Sequence, residues 1–336
     1  MKRLGMIGTG LISQFHLSRW QRLPVEIAGY YDINPTAAQK VADQYGGQVF
    51  ESLEALLDAV DIVDVCTHTP AHKDPVLAAA AAGKDIVCEK PLARHLADCE
   101  AMVVACRDAG VRLFVAQVVR FFPQFAKAKA VLAEGKLGNP GVIRTIRGGS
   151  FPRTASDTWY NNLAESGGVI MDLSIHDIDY ARWCFGEVER VFARGLTFAN
   201  EDRRDHTLIT LRFANGAIGH IEGSWAYPPG QFQTRIEMAG DEGLLEWDST
   251  EGHPLLTALR EDDGAETQRS SANPVNPNDD PYYLELKHFL ECLGSGAPFR
   301  VTAHDGLMAV KISLAAIESM RIGQPVEIAT FKEEPL

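Results

Sequence analysis

The segment Ser166–Asp179 holds the residues whose types and spacing suit acid–base chemistry best. Asp172 and His176 are four residues apart in an otherwise apolar helical pattern, and Asp179 follows three residues after His176. On an α-helix this spacing places the three side chains on one face. A carboxylate beside an imidazole stabilises the imidazolium and orients the ring, which indicates that His176 is a proton acceptor tuned by Asp172. Surface ion pairs share this spacing, and so do divalent-metal sites, but no third ligand stands out and we predict no metal.

A glycine-rich turn near the N-terminus suits the phosphates of a dinucleotide. It follows the first predicted strand and opens the first predicted helix, where helix N–H groups receive a pyrophosphate. The residues expected to line this turn are Gly8, Thr9, Gly10, Leu11 and Ile12. Asp32 ends the second predicted strand, where a carboxylate accepts hydrogen bonds from the adenosine ribose and repels a 2′-phosphate. No Arg or Lys follows in residues 33–35, so the sequence favours NAD over NADP.

Two further groups of polar residues directly follow predicted strands. One contains Thr67 and His72, and the other contains Glu89 and Lys90. In an open α/β sheet, ligands bind outside the carboxyl ends of the strands, so we expect all four residues to border the cofactor. Lys90 is also expected to donate a hydrogen bond to a substrate hydroxyl or to the nicotinamide ribose, although a lysine before a proline is on its own more often a surface residue.

A polar-aromatic loop, Phe151–Leu163, comes just before the helical segment of Asp172. We predict that Arg153, Trp159 and Tyr160 of this loop contact the substrate. A surface loop anchored by aromatic side chains explains the same composition equally well.

The first part of the chain alternates short apolar runs with helical patterns. Val25–Tyr31 is one of the predicted strands and Leu53–Ala59 one of the predicted helices. Strands that are apolar without alternation suit a parallel sheet covered on both faces, and strand–helix repetition is typical of a doubly wound α/β fold. We assign residues 1–123 to this domain.

After Pro123 the pattern changes. A long helical pattern from about Val169 to Cys184 is followed by strand-like runs such as Val188–Leu196, separated by turn signals such as Asn215-Gly216. This arrangement predicts an antiparallel meander in a second domain, residues 124–336.

Composition excludes several classes of protein. Of the 336 residues, 32 are Lys or Arg and 45 are Asp or Glu, giving a net charge of −13. Such an acidic surface suits neither nucleic acid nor anionic lipid, so we expect no nucleic-acid partner and no membrane association. The six cysteines form no CxxC pair and lie partly in apolar runs, which indicates free thiols in a reducing compartment. No secretory signal pattern follows Met1, and we expect a cytoplasmic protein.

Taken together, the motifs resemble those of the Gfo/Idh/MocA oxidoreductases, the family of glucose–fructose oxidoreductase and inositol dehydrogenase. The resemblance covers nearly the whole chain, and the segments that carry it are GTGLIS, CTHTPAH, EKP, RFFP, GKLGNP and SGGVIMDLSIHDID. It implies an N-terminal Rossmann domain followed by a C-terminal α/β domain with an open, mainly antiparallel sheet that binds substrate and mediates oligomerisation. It also implies NAD-dependent hydride transfer to or from a hydroxyl carbon of a sugar, cyclitol or related polyol, in a homodimer or homotetramer.

Carried over onto this sequence, the resemblance makes Lys90, Asp172 and His176 the catalytic residues. The same three residues, with Arg120 at the start of RFFP and Asp179, are expected to contact the substrate. All three catalytic positions are intact, which favours a working enzyme.

Two departures from the family pattern leave the substrate open. His68 stands where many polyol dehydrogenases of the family have proline, and residues 116–119 replace a Gly-aromatic-Asn-Arg stretch. Two alternatives to the dehydrogenase function therefore remain open. One is a tightly held NAD used in an internal redox cycle on a glycoside or a sugar pair. The other is a regulator that senses NAD and sugar without turnover.

Overall fold

A computed structural model describes residues 1–151, 158–196, 206–251, 255–259, 269–271 and 279–333. The chain divides into two compact units: Met1–Phe121 with Asp280–Val310, and Phe122–Asp279 with Lys311–Leu336. This division differs from the predicted one at residue 123 in one respect, because Asp280–Val310 packs with the first unit. The rings of Trp20 and Phe114 meet Phe289 from this segment at centroid distances of 6.3 and 5.8 Å. An apolar helix face alone does not specify which core it joins.

The first unit contains a parallel sheet of six strands. The strands are β1 (Lys2–Ile7), β2 (Val25–Tyr31), β3 (Gln48–Val49), β4 (Ile62–Val65), β5 (Asp85–Glu89) and β6 (Leu113–Ala116). Their order is β3-β2-β1-β4-β5-β6, and every neighbouring pair is parallel. All residues of β4 and β6 are buried, as expected for a sheet covered on both faces. The order reverses between β1 and β4, so this unit has the predicted doubly wound topology, with a ligand crevice expected at that point.

The second unit contains a mixed sheet of nine described strands. They are β7 (Pro140–Gly149), β8 (Val188–Leu196), β9 (His206–Phe213), β10 (Ile218–Ser224), β11 (Phe232–Gly240), β12 (Gly243–Asp248), β13 (Leu256–Leu259), β14 (Arg269–Ser271) and β15 (Val326–Glu327). Their order is β14-β13-β12-β11-β7-β10-β9-β8-β15. Only β7 and β10 pair in parallel among these strands, which confirms the predicted, mainly antiparallel sheet.

The α-helices have ends that the sequence explains. They are α1 (Leu11–Trp20), α2 (Pro35–Tyr45), α3 (Leu53–Ala59), α4 (Lys73–Ala81), α5 (Leu96–Ala109), α6 (Pro123–Ala133), α7 (Thr158–Asn161), α8 (Leu163–Ser166), α9 (Ile175–Phe185), α10 (Pro281–Ser295) and α11 (Ala303–Ile322). The side chain of Asn34 accepts hydrogen bonds from the first turn of α2, and Gly110 ends α5 in the left-handed region. None of the helices in the described ranges has both the length and the apolar composition needed to cross a bilayer.

Candidate active site

The glycine turn between β1 and α1 has two glycines with opposite surroundings. Gly8 has φ +87°, and a Cβ there would lie 2.7 Å from the backbone nitrogen of Thr67. Gly10 is exposed, and a Cβ there would meet no atom of the described residues within 4 Å. No side chain in the described structure caps the first turn of α1, so its N–H groups point into this open space. The turn thus packs tightly on β4 at Gly8 and is open at Gly10.

Asp32, at the end of β2, holds the glycine turn in shape. Its Oδ2 accepts hydrogen bonds from the N–H and the hydroxyl of Thr9, both at 2.7 Å. Its Oδ1 accepts the N–H of Asn34 at 2.8 Å. The side chain is half-buried, and its carboxylate oxygens have lone pairs left for further donors.

Two apolar side chains near Asp32 are unusually exposed. Leu11 is 66% exposed and Ile33 is 87% exposed. Both follow the carboxyl end of a strand, at the edge of the sheet where a dinucleotide binds. Leu11 is one of the predicted cofactor residues. Ile33, between the strand-end Asp32 and the N-cap Asn34, is a further candidate on the same grounds.

The side chain of Thr67, just beyond β4, is available for a ligand. Its hydroxyl is buried and has no hydrogen-bond partner among the described residues. An unpaired buried hydroxyl is unfavourable until a partner is supplied. The Thr67 hydroxyl, the open N-terminus of α1 and Asp32 together fit a bound dinucleotide. Gly10 and Ile12 belong to the same glycine turn.

His72 is more enclosed than the sequence suggested. It is 1% exposed, with Nδ1 lying 2.9 Å from the carbonyl oxygen of Pro91 and Nε2 lying 3.0 Å from that of Thr67. Burial lowers the pKa of His72, and the backbone carbonyls oppose that effect. The ring therefore links the segment after β4 to the segment after β5, and its predicted contact with the cofactor stays a prediction.

Glu89 and Lys90 stand at the carboxyl end of β5. Glu89 is 6% exposed, and its Oε2 accepts the backbone N–H of Lys90 at 2.8 Å. Lys90 itself is half-buried. The carboxylate thus fixes the backbone of the residue that the sequence identifies as catalytic.

Arg120 does not occupy the open position expected of a substrate ligand. Its side chain is 1% exposed, and its guanidinium donates to the carbonyl oxygen of Arg300 at 2.7 Å and pairs with Asp305 at 3.3 Å. These contacts join the segment after β6 to the start of α11 within the first unit. The resemblance predicts a role of Arg120 at the substrate, and that role stays a prediction.

In the second unit, the helical segment of Asp172 is not α-helical throughout. Residues Ile170–Ser174 form a π-helical turn, and α9 begins only at Ile175. The segment predicted to be helical from about Val169 to Cys184 is helical, but because of the π-helical turn Asp172 and His176 are not related by ideal α-helical spacing. Single π-helical turns occur frequently at functional sites. Asp172 and His176 are both half-buried, whereas Asp179 is 1% exposed.

Asp177, next to His176, forms an ion pair that the sequence did not reveal. Its carboxylate accepts two hydrogen bonds from Arg147 of β7, at 2.6 and 3.2 Å, and both side chains are buried. Burial raises the pKa of Asp177, and Arg147 opposes that effect. Because an ion pair of this kind ties the first turn of α9 to the sheet, it holds the backbone of His176 in place.

The predicted substrate loop is only partly described. Arg153 lies outside the described residues. The rings of Trp159 and Tyr160 are 4.0 Å apart between centroids, and Tyr160 meets Trp225 edge-on at 6.3 Å. The two aromatic side chains thus pack within the second unit, and their contact with a substrate stays a prediction.

Comparisons with known proteins match both units. A sequence model described as "Oxidoreductase family, NAD-binding Rossmann fold" matches residues 2–117, and one described as "GFO/IDH/MocA C-terminal domain" matches residues 125–246. The chain is 31% identical to the myo-inositol 2-dehydrogenase of Thermotoga maritima, over 97% of this chain and 98% of that protein. It is also 31% identical to the scyllo-inositol 2-dehydrogenase (NAD(+)) of Bacillus subtilis, over 87% of this chain and 85% of that protein.

A solved structure is similar over the full length. An oxidoreductase from Agrobacterium radiobacter, in complex with NAD+, L-tartaric acid and magnesium, has a TM-score of 0.85 and 27% identity, covering 98% of each chain. These matches confirm three predictions from the motifs: the fold class, the oxidoreductase activity and NAD as the cofactor.

Proposed function

This chain belongs to the Gfo/Idh/MocA oxidoreductase family, as its motifs indicated, and from that membership we propose that it oxidises a hydroxyl-bearing carbon of a sugar, cyclitol or related polyol. When bound, NAD supplies the hydride acceptor at its nicotinamide ring. The observation that carries the proposal is the presence, in one chain, of a dinucleotide turn and of Lys90, Asp172 and His176 at the family's catalytic positions.

Each of the three catalytic residues has a distinct task in this proposal. His176 takes the proton of the substrate hydroxyl, so that proton and hydride leave the same C–OH group and a carbonyl results. Asp172 orients the imidazole and stabilises its protonated form. The ammonium of Lys90 donates a hydrogen bond to the substrate oxygen as negative charge develops there.

The substrate class rests on the relatives. Two of those described above are named for inositols, which are cyclitols, and the solved structure holds tartaric acid, a polyhydroxy acid. All three compounds carry adjacent hydroxyl groups. We therefore place the substrate of this chain among compounds with vicinal hydroxyls, and we keep the internal redox cycle as the alternative within enzymes. The intact catalytic residues favour either reaction over a sensor without turnover.

A substrate panel with catalytic variants tests the proposal. Purified protein is incubated with NAD and with cyclitols, aldoses and sugar acids, and NADH is followed by its absorbance. His176→Ala should lower kcat for the best substrate by roughly 10²–10⁴-fold, as is typical for the loss of a general base. His304→Ala, which removes an exposed histidine of the first unit, is the matched control and should keep wild-type kcat.

The outcomes separate the three candidate functions. NADH formation that depends on His176 supports the dehydrogenase. Conversion of a glycoside without net NADH, by protein that retains NAD through purification, supports the internal redox cycle. Binding of NAD and sugar with no conversion of either supports the sensor, and the proposed function is then wrong.

We also propose that the chain forms a homodimer or homotetramer through the outer face of the second sheet. A groove of about 300 Å³ lies on this sheet, and the side chains that line it include Arg144, Leu208, His220 and Glu237. Leu208 is 56% exposed. Light scattering coupled to size exclusion measures the mass in solution, and Leu208→Glu should shift it towards the monomer. A monomeric wild type would contradict the assignment.

We place the protein in the cytoplasm, without a nucleic-acid partner. All six cysteines are buried thiols, which suits a reducing compartment. The net charge of −13 disfavours association with nucleic acid.

A further inference from the structure

Four titratable side chains come together in the interior of the first unit, beneath Lys90. They are His16 of α1, Asp64 of β4, Glu89 of β5 and Glu285 of α10, and we call them the buried array. Their exposed fractions are 0%, 0%, 6% and 0%. Removing several ionisable groups from water is costly, so such a group is expected to have a specific task. None of the roles assigned above uses His16, Asp64 or Glu285.

Three members of the buried array form a continuous line that ends at Lys90. Oδ2 of Asp64 lies 2.8 Å from Nδ1 of His16. Nε2 of the same ring lies 3.0 Å from Oε1 of Glu89. The other oxygen of Glu89, Oε2, accepts the backbone N–H of Lys90 at 2.8 Å. Each group in the line is therefore held by the one before it.

The charge of the array follows from this geometry. Nδ1 of His16 is hydrogen-bonded to Asp64, and Nε2 lies at ion-pairing distance from Glu89 without the geometry of a hydrogen bond, so Glu89 pairs with the ring by charge only when the ring is protonated. Burial opposes that charge, but Asp64 and Cys66 outweigh it and raise the pKa of His16 well above its ordinary value. The imidazolium thus lies between the Asp64 and Glu89 carboxylates and offsets their charge.

Glu285 completes the array as a carboxyl group whose surroundings favour its protonated form. Its two carboxyl oxygens have no hydrogen-bond partner among the described residues. Burial raises the pKa of Glu285 well above its ordinary value, and Glu89 and Asp64 raise it further, against the opposing effect of His16. A third buried carboxylate would compete for the single imidazolium, and the bound proton prevents this.

Two members of the array, His16 and Asp64, lie beside Cys66 but do not suit a metal ion in this arrangement. His16, Asp64 and Cys66 offer ligand atoms that lie close together. However, Nδ1 of His16 and Oδ2 of Asp64 are already at hydrogen-bonding distance, so a proton occupies the space between them. The arrangement is that of an imidazole hydrogen-bonded to Asp64 and paired by charge with Glu89.

We propose that His16 is a positioning residue for Lys90: held by Asp64, it fixes the Glu89 carboxylate, which in turn fixes the backbone that carries the Lys90 side chain. This inference rests on the proposed role of Lys90 in catalysis. Since Glu89 reaches Lys90 through the backbone N–H, the array sets where the lysine side chain begins, and a small displacement there moves its ammonium away from the reacting oxygen.

The test replaces His16 with an uncharged side chain, which cannot form an ion pair with either carboxylate. His16→Gln should lower kcat roughly 10–100-fold, because a misplacement of about 1 Å at a reacting group has an effect of this size. The Kd for NAD and the KM for substrate should change less than about threefold, because His16 and Asp64 are fully buried and neither is among the residues expected to contact a ligand. Trp20→Phe is the matched control: it removes the other donor to Asp64, Nε1 of Trp20 at 2.7 Å, but leaves His16 and Glu89 in place. It should keep kcat.

An isotope effect separates positioning from simple loss of folded protein. With substrate deuterated at the oxidised carbon, a badly placed Lys90 slows the hydride step, so the isotope effect on kcat rises in His16→Gln. A smaller folded fraction would lower kcat but leave the isotope effect unchanged. If His16→Gln does not fold, Glu89→Gln is the second variant, and it should show the same rise in the isotope effect.

The results distinguish this inference from the proposed function. Lys90→Met with near-wild-type kcat would show that the proposed catalytic role of Lys90 is wrong. The positioning role alone would be overturned if Lys90→Met lost most of its kcat while His16→Gln or Glu89→Gln kept the wild-type kcat and isotope effect. A fall in kcat that follows the melting temperature equally in His16→Gln and Trp20→Phe would also overturn it.

Discussion

Gly8→Ala should lower the stability of the protein, whereas Gly10→Ala should spare stability and weaken NAD binding, although the two glycines lie in one turn. At Gly8 the φ of +87° is unfavourable for alanine, and a Cβ would lie 2.7–2.9 Å from the backbone of Thr67 and Cys66. Left-handed backbone costs about 1–2 kcal/mol for a residue with a Cβ. Overpacking against rigid atoms costs about 1–3 kcal/mol more.

The two contributions add to about 2–5 kcal/mol of lost stability for Gly8→Ala. Differential scanning calorimetry should then show a melting temperature lower by roughly 4–20 °C, at about 2–4 °C per kcal/mol for a domain of this size. Gly83→Ala provides the matched control, since Gly83 has φ +70° but no described atom lies within 4 Å of a Cβ there. Its loss should be limited to the conformational part, about 1–2 kcal/mol.

Gly10→Ala should spare stability and weaken the cofactor. Gly10 has φ −74°, which alanine adopts readily, and its Cβ would enter open space. Loss of a glycine N-cap costs at most about 1 kcal/mol. That open space is where the backbone approaches a pyrophosphate, so the Kd for NAD, measured by calorimetry, should rise at least about tenfold. Wild-type stability in Gly8→Ala, or wild-type NAD affinity in Gly10→Ala, would refute the structural reasoning for that glycine.

Three further predictions concern other residues. Steady-state kinetics should give a higher kcat/KM with NAD than with NADP, because the Asp32 carboxylate repels a 2′-phosphate. Asp32→Ala should reduce that preference. Equal kcat/KM values with the two cofactors in the wild type would contradict the assignment. Arg147→Met leaves the buried Asp177 carboxylate without its partner and should lower the free energy of unfolding in urea by about 3–5 kcal/mol, whereas a change under 1 kcal/mol would argue against the ion pair. Glu285 has a raised pKa, so the folded state holds its proton more tightly than the unfolded chain, and stability must fall as pH rises above 4.5. Glu285→Gln mimics the protonated acid, and its free energy of unfolding, measured in urea, should exceed that of the wild type by an amount that grows with pH from 4.5, at up to about 1.4 kcal/mol per pH unit. A difference independent of pH would contradict the assignment.

The elements that the sequence predicted well are those with strong local patterns. β2 (Val25–Tyr31), α3 (Leu53–Ala59) and β8 (Val188–Leu196) have the predicted bounds. Each is a continuous run bounded by turn or cap residues, so local preferences suffice to define it. β3, Gln48–Val49, was missed because a strand of two residues has no detectable period.

The proximity of Asp32 to the glycine turn could also be predicted from the sequence. Asp32 and the glycine turn lie on consecutive elements, β1, α1 and β2, whose spacing in the chain is set by one strand–helix–strand unit. Because a parallel sheet brings consecutive carboxyl ends to one edge, their proximity follows from the order of the elements alone.

Only the tertiary structure revealed which distant side chains share the interior. His16, Asp64, Glu89 and Glu285 meet because β1, β4 and β5 are neighbours in the sheet and because α10 packs with the first unit rather than the second. It also revealed the ion pair of Arg147 with Asp177 and the π-helical turn at Asp172. Local sequence patterns indicate the backbone conformation of a segment and the face that it buries. Pairing between distant buried polar groups depends instead on how whole elements pack together, which no single segment encodes.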